Sequence, residues 1–207
     1  AKAVRGMGVT SVAGVGADDG LFAPTLDIPG RSASDNPYDA PVTALAANFN
    51  TLNIKVKAGT VTSAEPQTPL TPTARRLGQA LGSGTQRINL KDKGLGARYF
   101  AEVLTAKLET AGVKVTAEPR VGRVPAGAKP LLTHKNSRDL RTMLAPMLEY
   151  SNNFVAIGLF LTLADRGDGG PITIARAQQT MANWLDPESR WGDYRARDGA
   201  GLSRGTR

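Results

Sequence analysis

Apolar residues alternate with polar residues in the first part of the chain, and this spacing predicts strands. The strongest case is residues 50–57, where Leu52, Ile54 and Val56 share one face. A helical spacing over residues 98–111 predicts one helix among these strands. Further strands are predicted at residues 9–15, 42–49, 86–90 and 113–116.

The spacing becomes helical after residues 121–129, a linker rich in Gly and Pro. The first helix predicted there repeats apolar residues at i, i+3, i+4, i+7 and i+8. This apolar stripe comprises Leu140, Met143, Leu144, Met147 and Leu148. Residues 154–164 predict a second, buried helix and residues 174–185 a third, stopped by Pro187. The patterns together predict an α/β (α+β) fold with a domain boundary at about residue 125.

The composition excludes several kinds of chemistry. The 207 residues include no Cys, so a disulfide, a Cys-based metal site and a Cys nucleophile are ruled out. The hydrophobic fraction of 41% is sufficient for a core, but no apolar run is long enough for a transmembrane helix. Because the chain begins without Met and ends directly after a turn-like sequence, we expect it to be a fragment or a partly visible chain.

The net charge of +8 indicates an anionic partner or anionic surroundings. Nucleic acid is one class of partner, but aromatic residues make up only 5% of the chain and no block of Lys and Arg exceeds two residues. We therefore expect no nucleic-acid partner. A solvated basic surface is the favoured interpretation, and an anionic cell-wall polymer would suit the charge as well as nucleic acid does.

The candidate chemistry lies at the junction of two predicted helices, in the sequence YSNNFVA at residues 150–156. It places the hydroxyl of Ser151 and the carboxamide of Asn153 two residues apart, as in the S-x-N element of penicillin-interacting serine enzymes. Ser and Asn also favour helix caps, so a purely structural role is the alternative. No Ser is followed by Lys three residues later, and the nearest approach to K-T-G is KAGT at residues 57–60.

Three segments resemble the class C penicillin-binding proteins, which are D-alanyl-D-alanine carboxypeptidase/endopeptidases. Residues 131–156 resemble the segment that leads into the family's S-x-N motif, and DGAGLSR at residues 198–204 resembles its D-G-S-G-L-S-R loop. Residues 35–51 resemble its inserted domain, and all three segments follow the family's order. The chain departs from the family pattern at Ile157, at Ala200 and in the two residues after the loop.

The resemblance implies a fold and a domain organisation. Residues 1–125 would form an inserted, mostly β region of mixed α/β structure. Residues 126–207 would form the helical part of a penicillin-recognising transpeptidase-like domain. The family's S-x-x-K and K-T-G motifs would then lie outside this segment, and the segment alone would be inactive.

The resemblance also implies a function. The parent protein would hydrolyse the terminal D-Ala-D-Ala bond of peptidoglycan stem peptides through an acyl-enzyme, with Ser151 relaying a proton and Asn153 binding the substrate. It would need no cofactor or metal, and β-lactams would inhibit the complete enzyme. It would act in the periplasm or outside the cell, associated with the cell wall. The alternatives are a non-enzymatic basic wall-binding module and a nucleic-acid-binding domain.

Seven other residues are candidates for a role in binding or structure. His134 is the single histidine and is interpreted as a loop residue. Asp18 and Asp19 could bind a metal, but a turn is favoured. Trp184 is predicted in the core, and Trp191 is the better candidate for a surface contact with glycan. Arg197 and Asp198 are predicted to pair locally.

Overall fold

The computed structural model describes residues 1–165, 167, 169–185 and 195–205. The chain forms two compact units, and both are discontinuous in sequence. The first unit comprises Ala1–Asp19 and Asp35–Lys135, and the second comprises Gly20–Ser34 and Asn136–Arg207. The assignment of residues 1–125 and 126–207 to two domains of a longer protein stays a prediction, because compactness alone does not say to which domain a segment belongs.

The first unit contains short strands and three helices. Its helices are α1 (Lys2–Gly6), α2 (Pro72–Gly78) and α3 (Lys93–Thr110). Its strands are β1 (Ser11–Val12), β2 (Gly16–Ala17), β3 (Thr51–Lys57), β4 (Thr60–Ser63), β5 (Gly84–Asn89), β6 (Lys114–Val115) and β7 (Arg120–Val121). The longest strand, β3, lies between β4 and β5 in an antiparallel sheet, and the pairs β1–β6 and β2–β7 are parallel.

Helix α3 links the two hydrophobic clusters of the first unit. Tyr99 packs with the buried residues of β3, including Leu52 and Ile54. Ala97 and Ala101 belong to a second cluster with residues of β2 and the start of β6. Both alanines are fully buried, and their small side chains let the helix approach the short parallel strands closely. Burial also raises the pKa of Tyr99 to about 12, so its hydroxyl stays neutral further into the alkaline range than that of an exposed tyrosine.

The second unit is mainly helical in the part of it that the structure describes. Its helices are α4 (Leu140–Glu149), α5 (Asn153–Thr162) and α6 (Ile174–Leu185). An isolated parallel bridge joins Phe22 to Ile172, which ties the segment Gly20–Ser34 to the chain before α6. The buried residues of α5 are Ile157, Phe160 and Leu161, whereas α4 has none.

The predicted mixture of helices and strands is confirmed. The strand predicted at residues 50–57 is β3, with the predicted face buried, and the three predicted C-terminal helices are present. The strand predicted at residues 42–49 is wrong, because Asn48, Phe49 and Asn50 turn the chain with φ angles of 52°, 57° and 54°. Among described helices, none is long and apolar enough to cross a membrane.

The prediction that Trp184 lies in the core is wrong, since this side chain is 75% exposed. Helix α6 is buried at Ala177, and the adjacent Gln178 donates a hydrogen bond to the carbonyl of Arg197 at 2.8 Å. Trp184 lies almost two turns further along the helix, beyond these contacts. The prediction for Trp191 and the stop at Pro187 fall outside the described residues.

Candidate active site

The turn between α4 and α5 holds the Ser-x-Asn sequence in a defined backbone arrangement. The N–H of Asn152 donates to the carbonyl of Met147 at 2.9 Å, and the N–H of Ser151 donates to that of Leu148 at 3.4 Å. These two bonds, with φ of 50° at Ser151, form a Schellman motif that ends α4. Ser151 therefore occupies the left-handed position that glycine usually takes.

Asn152 begins the next helix. Its side-chain oxygen accepts a hydrogen bond from the N–H of Val155 at 3.0 Å, so Asn152 is the N-cap of α5. The expected capping role of the Ser-Asn-Asn sequence is thus performed by its middle residue. In the part of the chain that the structure describes, no hydrogen bond engages the side chains of Ser151 or Asn153.

The conformation of Ser151 is strained. A left-handed backbone costs a residue with a Cβ roughly 1–2 kcal/mol, and such conformations persist where the surrounding structure holds them. Ser151 is exposed, whereas Asn152 and Asn153 are half-buried. The turn therefore presents a hydroxyl at the surface, with a carboxamide at the first position of the following helix.

Helix α5 fixes this turn to the body of the second unit. Phe160, which is buried, lies against the backbone of Gly199 in the DGAGLSR loop. A Cβ added at Gly199 would lie 2.4 Å from the Cβ of Phe160, and φ at this glycine is 76°. A larger residue would separate the loop from the helix, so glycine is required here.

Asp198 organises the loop that packs on α5. Its carboxylate is fully buried and accepts backbone hydrogen bonds from Ala200 at 2.7 Å, Leu202 at 3.2 Å and Ser203 at 2.6 Å. The predicted local pairing with Arg197 is not found among the described ion pairs, and the Asp198 carboxylate instead accepts hydrogen bonds from the N–H groups of its own loop.

The loop has a second support from the segment Gly20–Ser34. Gly30 adopts a φ of 84°, and a Cβ there would lie 2.2 Å from the carbonyl oxygen of Leu202. This approach admits only glycine. Gly30 and the middle residue Asn152 were not predicted as functional residues, although the preference of Asn for helix caps is a signal that identifies Asn152.

The two aspartates considered as a metal pair have structural roles. Asp19 accepts hydrogen bonds from the N–H groups of Ala44 at 2.7 Å and Leu45 at 3.0 Å. Asp18 accepts one from Val124 at 2.8 Å. These bonds join the two aspartates to residues distant in sequence, so the interpretation as a turn stays a prediction. Among the described residues, no group of three or more His, Asp or Glu could hold a metal ion.

Two further candidates belong to the first unit. His134 is exposed in a segment without regular structure, as predicted for a loop residue. The KAGT sequence forms the hairpin between β3 and β4, in which Lys57 pairs with Thr60. Ala58 and Gly59 have φ angles of 48° and 74°, as in a type I′ turn. This sequence is a structural hairpin rather than a catalytic K-T-G.

The family is identified by residues 90–207, which match the model of the D-Ala-D-Ala carboxypeptidase 3 (S13) family. The chain belongs to this family. The match includes both the Ser-x-Asn turn and the DGAGLSR loop that packs near it. The expected relationship to the class C penicillin-binding proteins is confirmed at the level of family and fold.

Two solved structures share the fold. Penicillin binding protein 4 (dacB) from Haemophilus influenzae has a TM-score of 0.68 and 16% identity, over 98% of this chain and 52% of that chain. The same protein in complex with a novel β-lactam has a TM-score of 0.60 and 15% identity, over 99% and 51% of the two chains. The S13 chain thus spans about half the length of these structures. No curated protein sequence matches it.

Proposed function

We propose that this chain is part of a serine-type D-Ala-D-Ala carboxypeptidase/endopeptidase that acts on peptidoglycan stem peptides. Membership of the S13 family supports the reaction class. The observation that carries the proposal is the turn at residues 151–153, where Asn152 makes the capping bonds and leaves the hydroxyl and the carboxamide on either side of it for substrate.

The reaction requires an acyl transfer followed by hydrolysis. A nucleophilic serine oxygen forms a bond to the carbonyl carbon of the penultimate D-Ala, and the bond from that carbon to the nitrogen of the terminal D-Ala breaks. The proton of the nucleophile must reach this nitrogen, so that D-Ala leaves as a neutral amine. Water then attacks the ester, which releases the shortened peptide and restores the serine.

Ser151 and Asn153 have separate roles in this scheme. The hydroxyl of Ser151 can accept one proton while it donates its own, which suits it to relay the proton toward the leaving nitrogen. The carboxamide of Asn153 offers a donor and an acceptor, which suits it to bind the substrate's peptide backbone. No residue of the chain is assigned as nucleophile, since no Ser is followed by Lys three residues later.

The nucleophile, its lysine and the K-T-G motif would come from other parts of the same protein. The reaction would take place in the periplasm or outside the cell, where peptidoglycan lies. The chain has 26 Lys and Arg residues against 18 Asp and Glu, and this positive net charge would attract it to an anionic cell wall. β-Lactams would acylate the complete enzyme in the same way as substrate.

The test is the rate at which labelled penicillin acylates the full-length protein. Because general acid–base catalysis contributes roughly 100-fold or more, we expect Ser151→Ala to slow acylation by at least that factor. Asn153→Ala should weaken the capture of penicillin and of a D-Ala-D-Ala peptide. Ser137→Ala is the matched control, since Ser137 is also an exposed serine beside α4 and should be neutral.

Two results would contradict the proposal. Acylation of Ser151→Ala at the rate of the Ser137→Ala control would remove the proton-relay role. A stoichiometric penicillin adduct on the 207-residue chain itself, detected by mass spectrometry, would show that the nucleophile lies within it. Tight wall binding by a full-length protein that no β-lactam acylates would favour the non-enzymatic alternative.

A further inference from the structure

The proposed mechanism gives no chemical role to Asn152, the middle residue of the Ser-x-Asn sequence, yet this residue takes part in two of the hydrogen bonds of the turn. We propose that Asn152 is a positioning residue, which holds Ser151 and Asn153 in the geometry that the reaction needs. This inference rests on the proposed function and assigns a role to a residue that the motif leaves open.

Asn152 lies between two helices and takes part in the end of one and the start of the next. Its N–H closes the end of α4 through Met147 at 2.9 Å, and its side-chain oxygen closes the start of α5 through Val155 at 3.0 Å. One residue thus sets the direction in which the chain leaves one helix and enters the next. Ser151 precedes this residue directly and Asn153 follows it directly.

Ser151 has a strained backbone conformation that other contacts must hold in place. Its φ of 50° is unfavourable for a residue with a Cβ, so the turn would relax if its restraints were weaker. Loss of an N-cap side chain costs a free energy comparable to the strain of a left-handed residue. The hydrogen bond between the side chain of Asn152 and the N–H of Val155 is therefore strong enough to decide whether Ser151 keeps this conformation.

The conformation of Ser151 should affect the rate of acylation. Helix α5 is held by its buried residues Ile157, Phe160 and Leu161, so Asn153 stays attached to a rigid element. Ser151 lies outside the helix and depends on the turn. A shift of about 1 Å in a catalytic group can cost on the order of 100-fold in rate, so a relaxed turn should impair the proton relay more than the folding of the unit.

The experiment compares two caps of the same kind. Asp139 caps α4 as Asn152 caps α5, by accepting a hydrogen bond from the N–H of Thr142 at 2.8 Å. In the full-length protein, Asn152→Ala and Asp139→Ala should both lower the melting temperature. We expect only Asn152→Ala to slow acylation by penicillin, by roughly 10-fold or more. Asn152→Ser, which keeps a good N-cap, should restore most of the rate.

A double-mutant cycle identifies the residue through which Asn152 acts. If its effect passes through Ser151, Asn152→Ala should slow acylation much less in the Ser151→Ala background than in the native background. Equal slowing in both backgrounds, or equal rates for Asn152→Ala and Asp139→Ala, would overturn the positioning role. A Ser151→Ala variant with native acylation would instead overturn the proposed function itself, so the two failures are distinguishable.

Discussion

Strand β3 of the first unit and helix α4 of the second unit both carry regular apolar stripes, but they differ in burial. Leu52 and Ile54 on β3 are each 1% exposed, whereas Leu140 and Leu148 on α4 are 56% and 73% exposed. The β3 sheet therefore owes its stability to hydrophobic burial. Helix α4 is instead bounded by the Asp139 cap at its start and by the Schellman motif at its end, and this second region carries the candidate site. The loop that packs on the following helix, α5, is likewise built on backbone hydrogen bonds, to Asp198.

The largest expected effect tests whether hydrophobic burial stabilises the β3 sheet. Ile54→Ala removes a buried branched side chain from the central strand, and we expect it to lower the free energy of unfolding by about 2–5 kcal/mol. Leu148→Ala removes a similar number of atoms from the exposed stripe of α4. It should change the free energy of unfolding by less than about 0.5 kcal/mol. Urea unfolding of the protein measures both effects. A large loss for Leu148→Ala would show that α4 is covered in solution.

The same comparison shows what sequence patterns can predict. The alternation of Leu52, Ile54 and Val56 predicts both a strand and its buried face, because a sheet with one covered face requires this period. The stripe on α4 predicts the helix correctly, but burial depends on what lies opposite that face. Strand β4 was not predicted, because its short sequence follows a turn of Ala and Gly rather than the usual Asn and Gly.

The second prediction tests whether the hydrogen bonds to Asp198 stabilise the second unit. Asp198→Asn keeps the shape of the side chain but replaces one accepting oxygen by an NH₂ group, which leaves at least one of three backbone N–H groups without an acceptor. We expect a loss of about 1–3 kcal/mol in the free energy of unfolding, measured in urea.

Asp165→Asn is the control for this substitution. Asp165 is exposed and accepts a single backbone hydrogen bond, from Gly167 at 2.9 Å, so its replacement should be nearly neutral. Equal effects of the two substitutions would mean that the buried loop contributes little to the stability of the second unit. The contrast between the hydrophobic burial of the β3 sheet and the polar hydrogen bonds of the DGAGLSR loop would then be lost.

The candidate site could be predicted in part. The spacing of Ser151 and Asn153 and the segments that flank them predict these two residues as the candidate site, and their catalytic roles stay predictions. The backbone of the turn could not be derived in this way, because Ser, Asn and Asn all favour caps and the sequence does not say which one makes the bond. The close approaches at Gly30 and Gly199 depend on residues far away in sequence, which no local pattern contains.

The smallest expected effect tests whether the site is held against its own conformational preference. Ser151→Gly removes the Cβ from a residue with a φ of 50°, so we expect the free energy of unfolding to rise by up to about 1 kcal/mol. The same change removes the hydroxyl, so acylation by penicillin should fall at least as far as in Ser151→Ala. A protein that becomes more stable and less active would show that the strained serine is retained for its chemistry. If Ser151→Gly instead lowers stability, the hydroxyl contributes to the turn, and the structural role of this position is greater than its backbone geometry indicates.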